Sequence, residues 1–349
     1  MISPKYWRTI TWLAFVIWSA STFFASMGLA QTPAEFYRGK TIELYVGYSV
    51  GGGYDLYART LARHIGKHIP GNPAVVAKNM EGAGSLRLAN WLFRAAPNDG
   101  TVFGIIGRGT SFDPILGQQG AQFDAAKFTW IGSANNEVSI CVAWNGTSGI
   151  TTFADLRTKE MIVGGTGASA DTDQFPRILN GVLGTKMRIV SGYPGGNDVA
   201  LAMERGEVQG RCGWSWTTVK ATHQSWIDDH KITVLAQLAL SKHPDLPTVP
   251  LAIDLATTEE QRQILKLIFA RQVMGRPFLA PPGLASDRAD ALRQAFMDTM
   301  NDQSFLTDAG QLQLEINPVG GDQIQKLVED VYKTPAAVAR QAAALLSVR

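Results

Sequence analysis

Thr41-Ile-Glu-Leu-Tyr-Val-Gly-Tyr-Ser-Val-Gly-Gly-Gly-Tyr-Asp55 is the stretch on which the reading of this chain turns. Ile42, Leu44 and Val46 alternate with polar or smaller neighbours, which is the period of a short strand. Gly51, Gly52 and Gly53 follow, and Asp55 to Ile65 then carries apolar residues at helical spacing. Three glycines let the backbone turn sharply and bring bare N–H groups close to a guest. The helix behind them aims unpaired N–H groups and the positive end of its dipole at the same point. Such a strand–loop–helix unit receives an anion without a charged side chain.

Outward from this unit, strand and helix patterns alternate through most of the chain, the signature of α/β architecture with largely parallel sheets. Ala74 to Ala77 reads as a second strand, and a helix through Leu86, Ala89, Leu92 and Phe93 follows the loop Asn79 to Gly84. Thr101 to Ile106 is a buried strand ending in the donor-rich loop Gly107-Arg-Gly-Thr-Ser111. The strands Phe128 to Ile131 and Ser139 to Trp144 look like a crossing into a second lobe. There Met161 to Val163 runs into the loop Gly164 to Asp171, Met187 to Val190 into Ser191 to Asn197, and Val208 to Cys212 into Gly213-Trp-Ser-Trp216. Thr233 to Leu238 returns the chain, and amphipathic segments Glu259 to Phe269, Asp287 to Met300 and Gly321 to the C-terminus complete it. The expected architecture is two lobes, each a mixed, mostly parallel sheet flanked by helices, with a cleft between them. Residues 31–136 with 245–349 are assigned to the first lobe and 137–244 to the second. Open α/β sheets bind ligands at the carboxyl ends of their strands, so the Gly-rich loops of both lobes would line that cleft.

Residues 1–30 hold Lys5 and Arg8, an apolar stretch from about Ile10 to Met27, and Gly28-Leu-Ala30 before Gln31. This is the order of a cleavable signal peptide. An uncleaved anchor is the competing reading, weakened by Ser19, Ser21, Thr22 and Ser26. Loss of these residues takes the formal charge from +2 to zero. A neutral chain has no electrostatic case for nucleic acid or a membrane surface. Cys141 and Cys212 are the only cysteines. Export permits a disulfide, but the expectation from spacing alone is two buried thiols behaving as small apolar side chains.

Together these motifs resemble the extracytoplasmic solute receptors of tripartite tricarboxylate transporters, the TctC or Bug family. The match runs through Gly51-Gly-Gly-Tyr-Asp55, Asn79-x-x-Gly-Ala-Gly-Ser85, Ala95-Ala-Pro-Asn-Asp-Gly-Thr101 and Phe153-x-Asp-Leu156. It continues through Tyr193-x-Gly-Gly196, Arg205-Gly-Glu-Val208, Asp245-Leu-Pro-Thr-Val-Pro250 and Phe278-Leu-Ala-Pro-Pro-Gly283. The resemblance implies a two-lobe periplasmic binding protein of type II-like fold that closes on a small carboxylate. It would deliver that solute to membrane permease subunits, and a monomer without cofactor or metal is expected. The site residues it implies are Tyr48, Ser49, Gly52, Gly53, Tyr54 and Asp55 on the first loop, and Ala83, Gly84 and Ser85 on the second. Thr166, Gly167, Ala168 and Ser169, with Tyr193, Gly196 and Asn197, come from the other lobe. Tyr48-Ser-Val50 replaces a usual Pro-rich segment, Asp173 stands where a His is common, and Gln209-Gly-Arg-Cys-Gly-Trp214 departs from a strand that usually ends in an acid and aromatics.

Arg108 and Arg211 lie at expected strand ends, where a guanidinium would clamp a carboxylate through two hydrogen bonds; each could instead be a structural ion pair or a rim charge. Arg108 is the stronger candidate on loop position. Trp214, Trp216 and Phe112 would wall a ring or pack the core. Asp55 would meet a ligand amine or hydroxyl, or complement its helix dipole. His64 and His68 share a helix face, but without the glutamate of a zinc helix they read as a solvated face. Gly165 to Ala170 imitates a dinucleotide fingerprint, but no acid ends the next strand. Ser111, Ser169 and Ser215 lie in no nucleophile elbow. The receptor is therefore the principal expectation, a sensory receptor for a membrane signalling protein the second, and a secreted hydrolase a distant third.

Overall fold

The computed structural model describes residues 31–347, so the expected signal peptide lies outside the described residues. Eleven strands form two sheets among them. In the first lobe β1 (Thr41–Val46), β2 (Ala74–Asn79), β3 (Val102–Ile105) and β4 (Thr129–Ser133) are sequential in the chain. The second lobe holds β5 (Ser139–Trp144), β6 (Met161–Gly165), β7 (Met187–Ser191), β8 (Gly210–Ser215) and β9 (Ile232–Leu238). The chain then returns to contribute β10 (Pro277–Ala280) and β11 (Val319–Gly320) to the first sheet. The strand orders are β11-β4-β10-β3-β1-β2 and β7-β6-β8-β5-β9.

Both sheets are mixed, as the alternation of elements implies, but parallel pairing takes a smaller share than expected. It joins β1 to β2 and β3, and β6 to β7 and β8. The strands that carry the chain between lobes or back again, β4, β5, β9, β10 and β11, pair antiparallel. β10 and β11 escape sequence reading because strands of four and two residues carry almost no period. The segment after Gly321 is also two helices, Gly321–Tyr332 and Ala336–Ser347, separated at Pro335. Proline there lacks an N–H and disfavours helical geometry in the residue before it.

Each sheet buries its faces under helices. Ile42, Leu44 and Val46 alternate into the first core with Phe103, Phe278 and Phe296. A second core runs without a break from Leu88 and Trp130 in the first lobe to Val163, Phe175 and Phe269. The lobes are thus packed together behind the cleft as well as joined by chain. His64 and His68 are not simply solvated; they pair with Asp308 (3.0 Å) on the helix Gln303–Gln311 and with Asp302 (2.7 Å) at its N-cap. No helix among the described residues is long and apolar enough to cross a membrane.

The two cysteines are corrected by the fold. Cys141 on β5 and Cys212 on β8 face each other in antiparallel register and are joined as a disulfide. Spacing could not show this because the pairing follows from sheet register, 71 residues apart in sequence. Closing so long a loop removes substantial entropy from the unfolded chain. Reduction with dithiothreitol, or Cys141→Ala with Cys212→Ala, is expected to lower unfolding stability by about 2–4 kcal/mol. Denaturant titration with and without reductant measures this.

Candidate functional site

The carboxyl ends of β1, β3, β6 and β8 converge on a cavity of about 60 Å³ between the lobes. Gly51, Gly52 and Gly53 form one wall, at the start of the helix Gly53–Ile65. Gly51 adopts φ +83°, a conformation that costs glycine nothing. Its N–H donates to Asp55 Oδ2 at 2.9 Å, and Asp55 also accepts from Arg59 and Asn79. Asp55 is therefore spent on shaping the loop. Tyr48 and Tyr54 stack with centroids 4.7 Å apart and both line the cavity.

Arg108 reaches the cavity wall from the loop after β3, but protein groups engage its guanidinium. Nε donates to Asp171 Oδ2 at 2.6 Å, and Nη2 donates to the hydroxyls of Ser139 and Ser215, each at 3.0 Å. Nη1 is 3.4 Å from the Gly275 carbonyl. Asp171 opens the helix Asp171–Leu183 of the other lobe, and its second oxygen accepts from Arg271 at 3.3 Å. Tyr54, Asp171 and Glu137 hold the Arg108 pKa above its ordinary value despite burial. The residue is an ion-paired strut between lobes.

Arg211 on β8 has a different environment. It is buried, its Nη1 donates to the Gly196 carbonyl at 2.9 Å, and its Nε has no hydrogen-bond partner. The guanidinium lies 4.6 Å over the Trp214 ring. Burial pushes its pKa down to about 9, with the cations of Arg108 and Arg276 contributing, so it remains charged at neutral pH. No carboxylate pairs with it among the described residues, whereas Arg276, also on the wall, pairs with Glu137 at 3.3 Å. Three arginines meet here, and one lacks a counter-ion.

Of the residues expected at the site, Tyr48, Gly52, Gly53, Tyr54, Arg108, Thr166, Gly196, Asn197 and Trp214 line the cavity. The others lie outside its lining. Ser49 donates across the cleft to Asp198 at 2.8 Å, and Asn197 to the Val50 carbonyl at 2.9 Å. Ala83 and Gly84 lie against the backbone of Gly167, which has φ +130°, so a side chain there would force the lobes apart. Ser85 accepts from the Gly107 N–H at 3.0 Å, and the Ala168 carbonyl accepts from Gln174 at 3.1 Å. Ser169 is buried beside Asp113, and Tyr193 turns toward Glu207. Sequence reasoning missed Arg276, Thr218 and His223 on the wall. They follow no Gly-rich loop, and Arg276 arrives from the returning segment.

Asp113, in the first lobe, accepts from Gln174 Nε2 of the other at 3.0 Å, while its Oδ2 has no partner. Burial raises its pKa to about 7, opposed by the nearby Ser169 hydroxyl and the charge of Arg271. The folded state keeps a proton there that the unfolded chain releases near pH 4. This contribution to stability is full below about pH 4 and is lost as pH rises through about 7. Asp113→Asn is expected to be more stable than the parent at pH 8 by roughly 2–4 kcal/mol, and to lose that advantage at pH 4. Thermal unfolding of both proteins across pH 4–8 checks the sign.

No family model matches the sequence, and neither does any curated protein. Solved structures do match its shape. The periplasmic binding protein BugD is 19% identical with a TM-score of 0.70, over 88% of this chain and 98% of that one. MatC from Rhodopseudomonas palustris, solved with bound malate, is 17% identical with a TM-score of 0.67, over 87% and 99%. An R. palustris protein solved with adipate is 16% identical with a TM-score of 0.68, over 87% and 97%. With two mixed, helix-flanked sheets facing each other across a cleft, this chain has the two-lobed fold of these periplasmic binding proteins.

Proposed function

We propose that the mature chain is an extracytoplasmic solute receptor of the TctC or Bug kind. It captures a small carboxylate between its lobes in the periplasm and, as a monomer, presents it to permease subunits of a tripartite transporter. The observation that carries this reading is Arg211, a buried cation with an unpaired N–H on the wall of the interlobe cavity. A buried charge without a partner is costly, and an anionic ligand supplies the partner. The fold shared with BugD and with proteins that hold malate and adipate supports the same class of solute.

Binding follows from the geometry. The helices Gly53–Ile65 and Gly196–Glu204 begin at the cavity, so their first N–H groups and dipoles favour negative charge in it. Arg211 adds a directional donor. The contacts of Ser49 with Asn197 and Asp198 close one side of the cleft, and those of Gly84 with Gly167 another. Opening these contacts admits solute and remaking them excludes water, the hinge motion of two-lobed receptors. The role is that of a receptor, with no chemical step. Ser215 lies on the wall, but its hydroxyl accepts from Arg108, and no histidine bonds it among the described residues.

A thermal-shift screen of residues 31–349 against a carboxylate library at pH 7.5 tests this, since a ligand of the folded state raises the melting temperature. At least one carboxylate is expected to do so. Arg211→Gln is expected to weaken that ligand about 10–100-fold, the value of a charged hydrogen bond in a buried site. A library without a hit, or undiminished binding by Arg211→Gln, overturns the reading.

A further inference from the structure

The charges and hydrogen-bonding groups around the cavity narrow the class of solute, on the footing that this cavity is the receptor site. Its wall carries Arg108, Arg211, Arg276 and Asp171. Arg108 shares Asp171 with Arg271, which lies behind the wall with Asp113 as a second acid beside it, and Arg276 is paired with Glu137. On the wall itself the cation without a carboxylate partner is Arg211. A single carboxylate compensates it. A second carboxylate in the same enclosed space would find only cations that already have partners, with Asp171 nearby to repel it. Burying a charge without a partner is strongly unfavourable.

His223 supplies the other half of the argument. It lines the cavity, with its ring centre 5.0 Å from that of Trp214, the residue whose ring carries the Arg211 guanidinium. The helix Trp216–Asp228 leaves helical geometry at His223, with φ −142° and ψ 33°, and its ring packs between Trp214 and Trp226. Burial and the charge of Arg211 bring its pKa down to about 4, so the imidazole is neutral at physiological pH. Its tautomer follows from its neighbour. The Thr222 hydroxyl donates to the Thr218 carbonyl at 2.7 Å, and a carbonyl only accepts. The 2.6 Å contact between Thr222 Oγ1 and His223 Nδ1 therefore takes its proton from Nδ1. Nε2 is left as an acceptor, with no partner of its own among the described residues.

The cavity thus presents one uncompensated cation and one neutral acceptor, both set against the same indole. We propose that its solute is a singly charged hydroxycarboxylate, with the carboxylate on Arg211 and the hydroxyl donating to His223 Nε2. Malate and adipate, held by proteins of similar fold, carry two carboxylates; this cavity compensates one. Trp214 covers the carbon chain between the two polar ends, which the apolar faces of such pockets ordinarily do.

Length-matched triplets test this by isothermal titration calorimetry at pH 7.5 on residues 31–349. At each chain length the ω-hydroxy acid, the dicarboxylate and the plain alkyl acid are compared: 3-hydroxypropionate, malonate and propionate; 4-hydroxybutyrate, succinate and butyrate; 6-hydroxyhexanoate, adipate and hexanoate. At the best-fitting length the hydroxy acid is expected to bind at least 10-fold tighter than either partner. His223→Lys, which places a second cation without a carboxylate partner on the wall, is expected to reverse the order of hydroxy acid and dicarboxylate. That gain of binding distinguishes a changed site from a damaged fold. A dicarboxylate that binds the parent as tightly as its hydroxy acid, or an order unchanged by His223→Lys, overturns the proposal. If that dicarboxylate still depends on Arg211, the receptor reading survives; if no carboxylate binds at all, both fall.

Discussion

The buried ion pair between Arg108 and Asp171 is the interaction on which the arrangement of the cleft depends. It joins the loop after β3 in one lobe to the first turn of a helix in the other, and it is enclosed by Ser139, Ser215 and Arg271. Two ions taken from water cost more than their attraction returns unless other hydrogen bonds satisfy them. Here they are satisfied, and removing Asp171 would leave Arg108 as a buried, unmatched charge. The pair also decides what the remaining arginines can do. With Asp171 committed to Arg108 and Arg271, and Glu137 to Arg276, Arg211 is left without an anion of the protein's own.

Close approach of the lobes rests on a second constraint, the absence of side chains where the loops meet. Gly167 lies backbone against backbone with Ala83 and Gly84, and Gly84 and Gly167 take positive-φ conformations that glycine adopts readily. Polar bridges such as Ser49 to Asp198 then fix the lateral register of the lobes. The first-lobe loop is doubly employed. Its glycines line the cavity, while Asp55 holds it from behind through Gly51, Arg59 and Asn79. Precision at a binding loop of this kind comes from such support, because a glycine-rich segment has little rigidity of its own.

Much of the cavity was legible before folding, for a definite reason. Gly51 to Gly53, Thr166, Gly196 and Asn197 belong to strand–loop–helix units whose local signals, period two, then glycine, then period 3.6, are written in contiguous residues. The chemistry of the arginines was not legible in that way. Arg108 and Arg211 look alike in sequence, each near a strand end, and loop position favoured Arg108. Asp171, Ser139 and Ser215 come from distant parts of the chain to occupy the first, and nothing comparable reaches the second. His223 gave no signal, because its place on the wall depends on a local departure from helical geometry.

From its amino acids alone this chain determines two lobes of strand and helix, the loops that end those strands, and an anion-favouring character at each loop. These follow from interactions among near neighbours, which composition and spacing record directly. Only the tertiary structure decided that Cys141 and Cys212 bond, that Arg276 and His223 reach the cavity, and which arginine keeps an unpaired donor there. Each of those outcomes is set by sheet register or by contact between lobes. Whether a charge is matched depends on what lies across space within a few ångströms, and sequence separation places no limit on that.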